Sequence, residues 1–178
     1  VTIPVSGAGT RMMWIPEKSA FRAGTVDGVE WDAGNIGSWS FAAGVNTIAS
    51  GGLSTATGLA TIASGHGSTA MGFATTASGF YSTAMGSATT ASSDFSTAMG
   101  NATAASGHGS TAMGFQNTSR AYSSLAIGRY NDSISSSSTT SWIDTDPLFY
   151  LGNGSAHNVR HNAMVVYKNG NTVFKNPT

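Results

Sequence analysis

The chain has 178 residues, eight basic and eight acidic side chains, a formal net charge of zero and no cysteine. That balance excludes a nucleic-acid binder working through a basic stripe, and the lack of cysteine excludes a disulfide framework, a thiolate metal site and a cysteine nucleophile. Charged residues are only 9 % of the chain, against about 25 % in an average soluble domain, too few to clothe an ordinary monomer surface, and no apolar run approaches the ~20 residues that cross a bilayer as a helix.

The predicted elements begin with Gly9 to Pro16, whose Met12-Met13-Trp14-Ile15 run ahead of a proline reads as a capping strand. Ser19 to Gly24 carries the small-residue pattern of the repeats further on, but Gly24 stands 20 residues ahead of Gly44, one repeat period plus six. Residues 20–37 are therefore read as an enlarged first rung, with Trp31 and Trp39 covering the open end of a stack. Together residues 1–37 make the N-terminal segment.

From residue 38 to 135 the chain repeats itself. Gly44, Gly58, Gly72, Gly86, Gly100, Gly114 and Gly128 recur every 14 residues; an alanine stands two places before each and a serine four places before, so each of seven units carries SxAxG. The plainest copy is Ser68-Thr69-Ala70-Met71-Gly72, and a second small cluster such as Ala63-Ser64-Gly65 or Ala77-Ser78-Gly79 accompanies it. A fixed period signals a unit that cannot bury its own apolar face and must stack on its neighbours. Fourteen residues suffice for two short strands and two turns, one rung of a parallel β-roll. A disordered Ser/Thr/Gly linker would tolerate insertions, whereas a stack forbids them, and none interrupts the seven units.

Side chains alternate across a strand, which puts Ser68, Ala70 and Gly72 on one face and Thr69 and Met71 on the other. The small face fills a thin interior. The other face stacks into two outward columns: Met71, Met85, Met99, Met113 and Ile127 in one, Thr69, Thr83, Thr97 and Thr111 in its neighbour, with Phe41 and Leu125 at the ends of the latter. An apolar stripe along a whole rod exceeds what soluble monomers expose, so the four methionines, Ile127 and the four threonines are the predicted assembly interface of a parallel homo-oligomer about a rotation axis. In the second strand of each rung Thr47, Thr61, Thr75, Thr89 and Thr103 form one column, and Ile48, Ile62, Thr76, Thr90 and Ala104 lie on the opposite face.

Past Gly128 the period stops, and Ser135 to Ser141 reads as a loop. Trp142-Ile143-Asp144 and Leu148 to Gly154 read as a strand ending in a glycine turn, and Ala163 to Phe174 as a hairpin through Asn169-Gly170. Residues 136–178 are thus a small β-rich, hairpin-containing connector module.

The SxAxG motif followed about five residues later by ASG, at a 14-residue spacing, resembles the head repeat of trimeric autotransporter adhesins, the YadA-like head. The resemblance implies an all-β fold in which each subunit is a left-handed parallel β-roll, three subunits packing side by side as a homotrimer, and a role at a bacterial surface or in a fibre. Methionine stands in four rungs where the family has isoleucine or valine, and Ser93 replaces the glycine of one ASG cluster. The C-terminal LFxxGNG and NAMVVYKNGN stretches resemble the region that follows such heads in bacterial and phage fibre proteins, which implies that the protein continues beyond Thr178.

The turns vary while the strands do not. His66 and His108 share one repeat position, whose other occupants include Phe80, Asp94 and Tyr122; with the neighbouring Tyr81 and Phe95 these are the candidate ligand-facing residues. His157 and His161 are four apart, but the glycines before them and the hairpin after them favour a solvated loop over a metal pair. Asp27, Glu30 and Asp32, like Asp144 and Asp146, suit turns, and no GxSxG elbow or paired-acid cleft is indicated. No catalytic residue, metal or cofactor is expected. The reading is a non-enzymatic adhesive head of a trimeric surface fibre, extracellular and held at a bacterial outer membrane by segments elsewhere, or on a virion or fibre particle. Its partners are further copies of itself and an unidentified receptor, matrix protein or glycan, with neither nucleic acid nor direct membrane insertion. A tail-fibre segment of a phage or contractile injection system, and an ice- or lattice-binding β-solenoid, are the alternatives.

Overall fold

The computed structural model describes residues 5–175; residues 1–4 and 176–178, the outermost parts of the two predicted flanking segments, lie outside the described residues. Strands β1 (Gly9–Ile15) and β2 (Ala20–Val26) precede a run of alternating long and short strands. The long ones are β3 (Phe41–Val45), β5 (Thr55–Leu59), β7 (Thr69–Phe73), β9 (Thr83–Ser87), β11 (Thr97–Asn101), β13 (Thr111–Phe115) and β15 (Leu125–Arg129). Between them lie the two-residue strands β4 (Ile48–Ala49), β6 (Ile62–Ala63), β8 (Thr76–Ala77), β10 (Thr90–Ala91), β12 (Ala104–Ala105) and β14 (Thr118–Ser119). Strands β16 (Pro147–Asn153), β17 (Asn162–Tyr167) and β18 (Thr172–Phe174) close the chain. The long strands pair in parallel and in phase, Thr69 with Thr83 and Met71 with Met85, and the short strands form a second parallel sheet of six. The result is a parallel β-solenoid of six turns with a seventh long strand on top.

Alanine explains the thinness of the roll. Ala42, Ala56, Ala70, Ala84, Ala98 and Ala112 from the long strands face Ala49, Ala63, Ala77, Ala91 and Ala105 from the short ones, all fully buried in one core cluster. Only a methyl group fits on each side of so narrow a space. The buried serines close the turns: Ser68 Oγ donates to the Gly65 carbonyl at 2.7 Å, and Ser54 and Ser82 repeat the bond at Gly51 and Gly79. A buried hydroxyl needs such a partner.

Two expectations about the roll are corrected. Gly72 does not share the inward face of Ser68 and Ala70. Its φ is +119°, and a Cβ there would stand 2.0 Å from the Gly86 carbonyl oxygen, so the missing side chain would point along the stack into the next rung. The same holds at Gly58, where the obstacle is the Gly72 carbonyl at 2.1 Å. Second, Trp39 does not cover the roll: it is 64 % exposed at a positive-φ corner, whereas Trp31 is fully buried and donates through Nε1 to the Thr47 carbonyl at 2.9 Å.

Both ends of the alanine column are stopped by a large side chain. At the N-terminal end β2 pairs in parallel with β3, Ile36 bridges Ala49, and Arg22 occupies the register position beside Ala42. Arg22 is fully buried, and its hydrogen bonds go to the carbonyls of Phe21, Ser40 and Ala49 and to Ser40 Oγ. Burial pulls its pKa down to about 10. Strand β1 lies antiparallel on β2, and Met13, Ile15, Ala20, Val26, Trp31 and Ile36 pack beneath the roll. At the other end Tyr150 of β16 takes the place beside Ala126, accepts a bond from the Ile134 N–H at 3.3 Å, and is pushed by burial up to about 12. The strand expected to include Trp142–Asp144 is only Pro147–Asn153; residues 142–146 belong to the loop before it. Strands β17 and β18 form the hairpin around Gly170.

Candidate assembly face and exposed corner

The first candidate site is the outer face of the long-strand sheet. Thr69 and Met71 point away from buried Ala70, and the in-phase pairing repeats that geometry rung by rung. Met71 is 37 % exposed, while Met85, Met99, Met113, Ile127 and the four threonines are half-buried. Both columns run beyond the seven repeats. In the N-terminal direction the pairing carries the threonine column through Phe41 and Phe21 to Trp14, and the methionine column through Ala43 and Ala23 to Met12. In the C-terminal direction Leu125 is followed by Phe149 and Val166, and Ile127 by Leu151, Met164 and Phe174. One uncharged, mostly apolar face therefore spans all twelve strands. Sequence reasoning missed its two ends: the apolar alternation was present in both flanks, but antiparallel pairing has no period to announce its register. Beside this face a third column, Val45, Leu59, Phe73 and Phe115, is also exposed.

The second candidate site is the corner between each short strand and the next long one. All seven predicted turn residues lie there, and six of them form a continuous ladder of rings. His66 stacks on Phe80 with centroids 6.0 Å apart and meets Tyr81 edge-on at 5.6 Å. Tyr81 stacks on Phe95 at 5.9 Å, Phe95 meets His108 at 5.3 Å, and His108 stacks on Tyr122 at 5.3 Å. Asp94 stands between them and accepts a bond from the Phe80 N–H at 2.9 Å. Phe80, Tyr81 and Phe95 remain more than half exposed (55 %, 54 % and 56 %).

Each corner is a tight turn whose third residue has positive φ, as at Gly67 and Gly109, and a chain of hydrogen bonds links them: Tyr81 N–H to the His66 carbonyl, Phe95 N–H to the Phe80 carbonyl, both 2.8 Å. Tyr81 and Phe95 hold this conformation without being glycine, at φ of 52° and 57°. Such a backbone costs a bulky residue roughly 1–2 kcal/mol. At the C-terminal end of the ladder Lys168 Nζ lies 5.7 Å from the Tyr122 ring and 4.9 Å from that of Trp142. Burial lowers its pKa, and Asp146 opposes that shift.

The remaining singled-out residues serve turns. His157 and His161 contact Gln116 and Asn153 side chains separately, and among the described residues no group of three or more His, Asp and Glu could hold a metal ion. Asp32, Glu30 and Asp146 accept main-chain N–H bonds from Gly7, Gly28 and Ser138. The Thr47, Thr61, Thr75, Thr89 and Thr103 column is buried within the roll, and in the outward column of the short strands only Thr76, Thr90 and Thr118 are threonine. Among the described residues no helix is long and apolar enough to cross a membrane.

A family model described as the YadA head domain repeat (2 copies) matches residues 49–75, 63–79, 77–103 and 105–131. No curated protein matches the chain.

Proposed function

Since residues 49–131 are YadA head domain repeats, we propose that the chain is the adhesive head of a trimeric surface fibre. Three rolls pack through the outer face of their long-strand sheets around a common axis, with Met71, Met85, Met99, Met113, Ile127, Thr69, Thr83, Thr97 and Thr111 along it. The observation that carries this reading is the uncharged face of paired columns running unbroken from Trp14 and Met12 to Val166 and Phe174. Burying one methionine against a partner contributes about 1.5–3 kcal/mol, repeated over successive rungs and three copies. The variable corners are then held outward at an extracellular bacterial surface, where three-fold display raises avidity for a receptor, a matrix protein or a glycan. A lattice-binding role has less support, because the Thr47 to Thr103 column is interior and only Thr76, Thr90 and Thr118 of the short strands face outward.

Light scattering on a sizing column tests the assembly. A mass near three times 18.0 kDa is expected; a well-folded monomer would sink the head model.

A further inference from the structure

The corner that carries the ring ladder also carries a row of main-chain donors, one per rung, at Gly52, His66, Phe80, Asp94, His108 and Tyr122. Three of the six have acceptors. The loop after β15 turns back along this edge, so that Ser138 and Thr139 offer their carbonyls to the N–H groups of Tyr122 and His108, both at 2.8 Å. One rung further, the Phe80 N–H is taken by the Asp94 carboxylate. The N–H groups of Gly52, His66 and Asp94 have no acceptor among the described residues. They stand at the repeat position where His108 and Tyr122 receive peptide carbonyls, and the exposed rings of Phe80, Tyr81 and Phe95 lie beside them.

We propose that this edge, from Asp94 to Gly52, is a docking strip for a peptide segment of small uncharged residues in the bent conformation of Ser138 and Thr139, which continues along the rod the path that they begin. The occupant's chemistry is taken from the segment already seated there. The carbonyls of Ser138 and Thr139 reach successive rungs because the segment bends there, and serine and threonine side chains are small enough to lie against the rings. The side-chain acceptor at Phe80 repeats the same requirement in another form. Main-chain bonds of this kind supply affinity, and the flanking rings supply selectivity. The positive φ of Tyr81 and Phe95 fits a recognition surface, since such strain persists where the surroundings enforce it and clusters at ligand sites. The proposal rests on the reading that assembly uses the sheet face and leaves the corner free.

The test uses the whole 178-residue chain in its native assembly state, labelled with 15N, and a synthetic peptide with the sequence of residues 135–141. Titration is expected to shift the amide signals of Gly52, His66 and Asp94 and to leave those of His108 and Tyr122, which are already bonded, in place. Asp94→Ala frees the Phe80 donor and is expected to tighten peptide binding about two- to tenfold, the value of one added hydrogen bond; a purely structural role for Asp94 would not do so. Tyr81→Ala weakens binding without changing the mass by light scattering. No shift of the three amides at millimolar peptide, or shifts confined to the threonine and methionine columns, would overturn the proposal. So would an oligosaccharide that moves the ring signals where the peptide moves nothing. A monomeric mass with the three amides still shifting would overturn the assembly reading and leave the docking strip standing.

Discussion

Glycine and alanine alternate in importance along each rung. At Gly72 an added methyl group meets a main-chain carbonyl of the next rung at 2.0 Å, and backbone cannot yield there without displacing every rung beyond it. Gly72→Ala is therefore expected to lower stability by more than about 2 kcal/mol, read as a shift in denaturant midpoint at fixed protein concentration. The opposite holds two residues on. Ala74 and Ala88 sit at φ of 52° and 53°, where glycine carries no Cβ penalty, so Ala74→Gly and Ala88→Gly are each expected to raise stability by about 0.5–1 kcal/mol. Arg22 presents a different case, a cation held by carbonyls inside an alanine column. Arg22→Ala removes four hydrogen bonds, although the Ser40 and Ala49 carbonyls keep the N–H groups of Phe21 and Gly37, and opens a void, with an expected loss of roughly 2–4 kcal/mol in the same assay. Tyr150 gives a pH signature. Its pKa is raised in the folded chain, so its contribution is fully present below pH 10 and is lost as pH rises towards about 12; Tyr150→Phe is expected to flatten the fall in melting temperature across that window.

At the scale of elements, the long strands and their columns were legible because the SxAxG spacing fixes both period and face. Ala70 inside and Met71 outside follow from alternation alone. What escaped was set by conformation that composition does not signal. The non-glycine corners at Trp39, Tyr81 and Phe95 take positive φ, which is why Trp39 faces solvent while Trp31 fills the end. The phase change at Gly72 belongs to the same class. The return of Ser138 and Thr139 onto the corner was unreadable, since a run of serines and threonines has no periodicity to give it a register. The turn residues themselves were found by their variability, and the ladder they build required the stacking geometry. The outward columns make the element-scale prediction: Met85→Lys with Met99→Lys places charges on the uncharged face of β9 and β11 and is expected to yield a monomer by light scattering, whereas Tyr81→Ala keeps the assembled mass.

The described residues form a stack whose regular rungs stop at both ends. Rungs are interchangeable in its middle, where Ala, Ser and Gly occupy equivalent positions, and not at its limits, where Arg22 and Tyr150 stand in the place of alanine and Trp31 is buried beneath the roll. An open solenoid end presents a row of unpaired donors and acceptors, a template on which another molecule can grow. Here an approaching copy meets antiparallel β1 at one end and the β17–β18 hairpin at the other, neither of which matches a 14-residue rung. A further 14-residue rung therefore cannot be added in phase at either edge of the described sheet. Copies of this stack brought close together thus do not continue one another's rungs.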